Sequence, residues 1–305
     1  MSLYSNKPQP RTAFSTVFLA IMAMLAFSAN SILGRLALED QIIDASSFTF
    51  VRLSSGALAL WLMLRLTKNT SIDMPAETLP PQPTSKLKPW VSAFMLYTYA
   101  ICFSLAYIRL DTATGALILF AVVQITMIVF SVLSGHKIHF REAFGLILAF
   151  GGFIYLLLPG IQAPSLIGAT LMSIAGLAWG AYSLIGQKSN QPLIDTGKNF
   201  IRTLPFSILT CAIALFFNVE FKLSTTGIVL GLLSGVLASA FGYSLWYLIL
   251  PRLKSIQAGV LQLTVPIFAA FGGALFANET LGYRLLISFA AVIGGILIVL
   301  FERKR

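Results

Sequence analysis

The chain runs to 305 residues, of which 57% are hydrophobic and only 10% charged, with a mean hydropathy of +0.85. That composition excludes a water-soluble globular protein, because a single core of this length cannot hide so much apolar surface and lipid must cover the rest. The net charge of +10 suits a nucleic-acid partner, but the placement of the cations along the chain argues against one and leaves membrane lipid and a small-molecule substrate as the expected partners.

A helix needs roughly 20 apolar residues to cross a hydrocarbon layer of about 30 Å. In chain order, such stretches are expected near Phe14–Ala37, Ala45–Leu66, Leu87–Ile108, Thr112–Gly135 and Phe140–Leu158. Five more are expected near Pro164–Ile185, Phe200–Phe217, Thr226–Leu250, Gln257–Ala277 and Gly282–Phe301. The expected fold is therefore an all-α membrane protein of ten transmembrane helices. Residues 1–13 and 302–305 form polar tails. The first apolar stretch is longer than a signal-peptide core and lacks a small-x-small cleavage site, so it is expected to be retained. The longest polar segment, Thr67–Lys88, carries Pro75, Pro80, Pro81 and Pro83 and reads as a linker. The other connections are too short for a catalytic domain outside the membrane.

The second half echoes the first. Ala26–Arg35 reads AFSANSILGR and Ala178–Gln187 reads AWGAYSLIGQ, while Phe50-Val51-Arg52 answers Phe200-Ile201-Arg202. Further on, Ser104 and Tyr107 answer Ser244 and Tyr247, Gly115 answers Gly259, and the pair Gly151-Gly152 answers Gly294-Gly295. Two repeats follow, over residues 14–158 and 164–301. Five helices per repeat is an odd number, so the second unit enters the membrane from the opposite face and the repeats are inverted around a central cavity. With the N-terminus in the cytoplasm, most of the 21 basic residues fall on the inner side. Only Arg35, Arg109, Lys222 and Arg284 stand in outer loops and Arg52 within a span. This is the positive-inside asymmetry, and it puts both termini in the cytoplasm of a cell whose inner membrane holds the chain.

Gly176-x-x-x-Gly180 and Gly231-x-x-x-Gly235 mark close helix approach. Cys102 and Cys211 lie in spans, do not correspond in the repeat, and read as packing residues. The acidic residues all fall at span ends or in loops, so no carboxylate is expected in mid-span. Arg52 is the strongly ionised side chain well inside a span, where the penalty at mid-bilayer is about 2.5 to 3.5 kcal/mol. Three readings are open for it: snorkelling to the surface, binding a substrate carboxylate, or locking an outer gate against Asp44 or a neighbouring carbonyl. Arg202, its repeat mate, is the matching candidate in the second half. Asn30, Gln124, Tyr182 and Gln262 need partners or a wetted cavity, and Trp179, Tyr243 and Trp246 are candidates for its aromatic walls. Pro266 is expected to break the ninth span near its middle, freeing a carbonyl. His136 and His139 beside Lys137 and Arg141 are too few, and too close to cations, for zinc. No nucleophile–base set, nucleotide loop or cofactor ligand pair is visible, so neither an enzyme nor a cofactor is expected.

The duplicated unit, the Phe-x-Arg of the second and seventh spans, the LTVPIFAA run from Leu263, Asn278-Glu279 and the closing Gly-Gly segments resemble the drug/metabolite transporter superfamily, specifically its EamA-type ten-helix carriers. The resemblance implies a basket of ten helices with a central cavity. It also implies secondary transport by alternating access, and export of amino acids or related small organic metabolites. Two departures stand out: the proline of LTVPIFAA has no counterpart in the first repeat, and His136 stands where the second repeat has Glu279. A non-transporting membrane protein, such as a lipid-modifying enzyme or assembly factor, is the competing class. Monomer and homodimer are both compatible with the sequence.

Overall fold

A computed structural model describes residues 10–68, 88–135, 140–158, 163–187, 189, 191–217, 221–250, 253, 258 and 261–300. Residues 69–87 of the expected linker, residues 1–9 of the expected tail 1–13, the basic tail 302–305 and the His136–His139 pair lie outside the described residues. Within them the chain folds as α1 (Pro10–Leu38), α2 (Ala45–Lys68), α3 (Lys88–Tyr107), α4 (Thr112–Leu133), α5 (Phe140–Leu157), α6 (Leu166–Gly186) and α7 (Pro192–Phe216). Then follow α8 (Thr225–Leu233), a π-helical stretch Ser234–Phe241, α9 (Gly242–Ile249), α10 (Thr264–Phe276) and α11 (Tyr283–Leu300). By length and composition, 7 helices among the described residues can cross a membrane, with the run Thr225–Ile249 counted as one; Ala143–Leu156, Thr264–Phe276 and Tyr283–Gly295 are shorter apolar helices.

Local chemistry sets the helix starts. The Asp44 carboxylate accepts from the amides of Ser46 at 3.0 Å and Ser47 at 2.9 Å and so begins α2. Ser224 does the same for α8 through the Gly227 amide at 3.0 Å. Helix α7 starts at Pro192, well before the expected Phe200. Proline at the first position and Asp195 in the first turn favour that start, while Asp195, Lys198, Asn199 and Arg202 depress the hydropathy that located the span. Pro266 is also corrected: it sits in the first turn of α10, after a turn at Leu263, where a missing N–H removes no helical bond. The neighbouring Val265 carbonyl accepts a bond from Ser28 Oγ at 3.1 Å.

The two halves interlock. Helix α5 packs on α11, α2 on α7, α3 and α4 on α6, and α1 on α8, α9 and α10. The connections following α1, α3, α5, α7 and α10 gather at one face. Ile43 bridges Leu223, Arg35 reaches Asp111 and Glu279, and a cavity of about 300 Å³ brings Arg109, Ser165 and Arg284 together. Phe140, Leu133 and Phe216 stand exposed on the outside, whereas Asn30, Arg52, Gln124 and Gln262 are buried. Polar inside and apolar outside is the pattern lipid demands.

Both glycine pairs lie at close contacts, as expected. Gly176 and Gly180 of α6 lie against Leu119, Val122 and Thr126 of α4, and Gly231 lies against Val51. A Cβ on Gly235 would fall on Ser55 Oγ and the Arg52 carbonyl. Gly235→Ala is therefore expected to lower stability by about 1–3 kcal/mol through overpacking, read as a lower midpoint of thermal unfolding in detergent; an unchanged midpoint would contradict this packing.

Candidate functional site

Arg52 lies seven positions into α2, about 10 Å below its start, and is 1% exposed. It neither snorkels nor meets Asp44, which caps α2 and accepts from the Lys222 amide instead. Three polar partners hold it. Nε donates to Ser239 Oγ at 3.0 Å, and Nη2 donates to the hydroxyls of Tyr99 and Tyr243, each at 3.0 Å. The guanidinium also stands 5.2 Å from the Tyr99 ring centroid and 4.9 Å from that of Phe103. Nη1 is buried with no hydrogen-bond partner among the described residues, nor does any carboxylate among them form an ion pair with Arg52.

The sequence supports this geometry locally. The π-helical stretch brings Gly235 against α2, and Ser239 and Tyr243 follow within two turns on the same rod. Such π segments recur at functional sites because the extra residue redirects side chains. From α1, Asn30 Nδ2 donates to Tyr99 OH at 3.1 Å while its Oδ1 accepts from Ser234 Oγ at 2.6 Å. From α6, the Trp179 ring lies tilted at 4.7 Å from that of Tyr243 and 5.1 Å from that of Tyr99, and its Nε1 donates to Gln262 Oε1 at 2.7 Å. Phe27 stands edge-on to Trp179, Tyr243 and Trp246, and Tyr182 contacts Trp179 at 5.7 Å. A residual cavity of about 10 Å³, space for one water, remains among Phe27, Ser31, Tyr99, Phe103, Trp179 and Tyr243. Arg52 stands directly behind this closed space, in contact with its lining residues Tyr99, Phe103 and Tyr243.

Of the residues expected to bind, the structure brings Asn30, Arg52, Trp179, Tyr182, Tyr243, Trp246 and Gln262 into one connected cluster. It places two elsewhere. Gln124 faces a small apolar gap between α4, α5 and α11, with both amide atoms buried and unpartnered among the described residues. Arg202 is half-buried on α7, with Asn199 Oδ1 at 3.5 Å from its Nη1. Tyr99 and Ser239 join the site without having been singled out by the sequence: Tyr99 is one tyrosine among several in the spans, and Ser239 lies in a run with no helical break visible in its sequence.

A second cluster, also missed, lies where α1 ends. Arg35 meets Glu39 at 2.6 Å, Glu279 at 3.3 Å and Asp111 at 3.4 Å, and its Nη1 donates to the Tyr107 carbonyl. Glu279 Oε1 also accepts from Thr112 N at 2.7 Å and Thr112 Oγ1 at 2.9 Å. Asn278 adopts a left-handed φ of 53° that turns the chain back after α10. Gly273 leaves the space into which Glu279 Oε2 fits. The ends of α1, α3 and α10 and the start of α4 are thus tied together above the chamber.

Burial pushes the Glu39 carboxyl above its ordinary value of 4.5; Arg35 pulls it back, and the Glu279, Asp40 and Asp111 carboxylates push it up again, leaving a net rise. A raised carboxyl means that the tied cluster binds the proton more tightly than water-exposed Glu39 does. Its stabilising contribution is full below pH 4.5 and is lost as pH rises through the raised value. Wild type is therefore expected to lose thermal stability relative to Glu39→Gln as pH rises from about 4 to 8; a difference that stays level across that range would contradict the assignment.

Comparison with known proteins fits this architecture. Residues 166–301 match the EamA-like transporter family. An uncharacterized protein of Pseudomonas aeruginosa is 44% identical over 288 residues, covering 94% of this chain and 95% of its own length. An uncharacterized transporter of Archaeoglobus fulgidus is 25% identical over 302 residues, covering 93% and 94%. A solved crystal structure superposes with a TM-score of 0.62 at 15% identity, covering 92% of this chain and 99% of that one, a likeness of fold alone.

Proposed function

The chain belongs to the EamA-like transporter family, and on that premise we propose that it is a secondary carrier of small organic metabolites, amino acids or related compounds, exported by alternating access. The observation that carries this reading is the closed chamber beside Arg52. Its walls come from α1, α3 and α4 of the first half and from α6 and α9 of the second, with Arg52 of α2 packed behind Tyr99, Phe103 and Tyr243. A chamber between halves can open to either side when they rock, without dismantling either one.

The inverted repeat is part of the same proposal. If the rod α8–α9 is the eighth span and α10 the ninth, the pairings of α3 with α6 and of α4 with α6 are answered by those of α8 with α1 and of α10 with α1. Helix α2 meets its own mate α7, and α5 meets α11. Contacts related in this way are what a pseudo-two-fold axis produces. The cation asymmetry makes the Arg35 face the outer one and puts both termini in the cytoplasm, in an inner membrane. On this reading the Arg35–Glu279 cluster is the closed outer gate, a role first sought at Arg52.

Counterflow of a mixed radiolabelled amino-acid and metabolite pool into proteoliposomes tests the carrier reading. Wild type is expected to exchange at least one class, with the rate reduced by Asn30→Ala, which unlinks Tyr99 from Ser234. Exchange of nothing in either direction would overturn it.

A further inference from the structure

Resting on the carrier reading, we propose that the cargo of the chamber is an organic acid carried as a monoanion. Its carboxylate is taken by Nη1 of Arg52 and its body by the rings of Phe27, Tyr99, Trp179 and Tyr243, and an ammonium group is no part of what the site recognises.

The argument is one of charge inventory. Arg52 brings one positive charge into the buried interior beside a cavity with room for no more than one water, and its described polar partners are neutral hydroxyls of Tyr99, Tyr243 and Ser239. Those partners occupy Nε and Nη2, and Nη1 is left with none. A buried donor on a charged group without an acceptor is strongly unfavourable unless something arrives to use it. A carboxylate is the acceptor that also cancels the charge, and arginine binds it with fixed geometry.

The residues lining the chamber are Phe27, Ser31, Tyr99, Phe103, Leu119, Phe120, Trp179 and Tyr243, with no Asp or Glu among them. The amide acceptors beside the ring cluster are already engaged, Gln262 Oε1 by Trp179 and Asn30 Oδ1 by Ser234. A cargo ammonium would lose its water and find the guanidinium, not a carboxylate, as its neighbour. The unpaired arginine therefore selects against cations and disfavours zwitterions relative to the matching simple acid. The same inventory separates loaded from empty carrier: the loaded chamber is neutral, and the empty one relies on Tyr99, Tyr243 and Ser239 to close over a cation.

The test is binding of four probes that share one body, measured by titration calorimetry on the full chain in lipid nanodiscs: 3-phenylpropanoate, 3-phenylpropanamide, 3-phenylpropylamine and phenylalanine. The acid is expected to bind about a hundredfold more tightly than amide or amine and about tenfold more tightly than phenylalanine. Arg52→Gln is expected to erase the preference for acid over amide, and Arg52→Lys to retain part of it. Equal or tighter binding of the amide, the amine or phenylalanine by wild type would overturn the proposal whether or not either variant folds, as would failure to bind any of the four. Selective acid binding with no counterflow of any metabolite would sink the carrier reading and leave the charge assignment standing; counterflow of amino acids without acid selectivity would do the reverse.

Discussion

Proteoliposomes carrying Arg52→Met are expected to exchange cargo about a hundredfold or more slowly than wild type, while the purified variant unfolds at the same temperature or higher. The two halves of this expectation have different causes. Lost exchange follows from removing the cation that, on this account, holds the cargo. Retained stability follows from the desolvation of an arginine that has three neutral partners, one unpartnered nitrogen and no ion pair among the described residues. Replacing such a charge by an apolar side chain of similar volume is often neutral or stabilising. An arginine present for stability behaves oppositely, because removing one partner of a satisfied buried network costs about 3–5 kcal/mol. Measuring both quantities on one variant decides between the roles. Loss of stability in step with loss of exchange would assign Arg52 to the fold.

Glu279→Ala is expected to release the outer gate. The substitution leaves Arg35 with Glu39 and the more exposed Asp111, and strips Thr112 N and Oγ1 of their acceptor. Breaking a partly buried charged network of this kind costs about 3–5 kcal/mol, enough to move a closed gate toward open by a factor of a hundred or more. The Thr112 amide reports the event, since its hydrogen bond is to the removed carboxylate. Hydrogen exchange followed by mass spectrometry is expected to accelerate about a hundredfold in the peptide covering Thr112 and to leave α5 and α11 unchanged. Uniform acceleration across all helices would mean global destabilisation and would remove the gate assignment. Because Arg35, Glu39, Asp111 and Glu279 all stand near one membrane face, this network can respond to that compartment without contacting the chamber.

How far the sequence reveals this arrangement can be judged residue by residue. The apolar stretches locate the helices because lipid exposure leaves a long-range hydropathy signal, and α7 begins before its expected start because Asp195 and Lys198 occupy a helix end that the same signal reads as loop. The aromatic and amide cluster is legible because Asn30, Trp179, Tyr182, Tyr243, Trp246 and Gln262 are conspicuous polar or ringed residues in apolar surroundings. Gln124 has the same signature and lands elsewhere, since composition cannot say which face of α4 it occupies. The partner of Arg52 is illegible for a related reason. An ionised side chain suggests an opposite charge, and Asp44 is the carboxylate nearest in sequence, yet the partners are phenols on α3 and α9 and a serine on the π-helical stretch, whose extra residue per turn leaves no mark in the sequence. The cluster joining Arg35 and Glu279 is hidden because those two residues are separated by 244 positions and each reads as an ordinary loop charge.

The central claim is that one chamber beside Arg52 opens in turn to each side of the membrane. Ser31 lines that chamber, so Ser31→Cys, in a chain whose Cys102 and Cys211 have been replaced by serine, can be challenged with a membrane-impermeant maleimide from either face in right-side-out and inverted vesicles. Labelling from both faces, faster from the outer one when Glu279→Ala is added, is the predicted result. Labelling from one face only, or from neither, would contradict alternating access through this chamber.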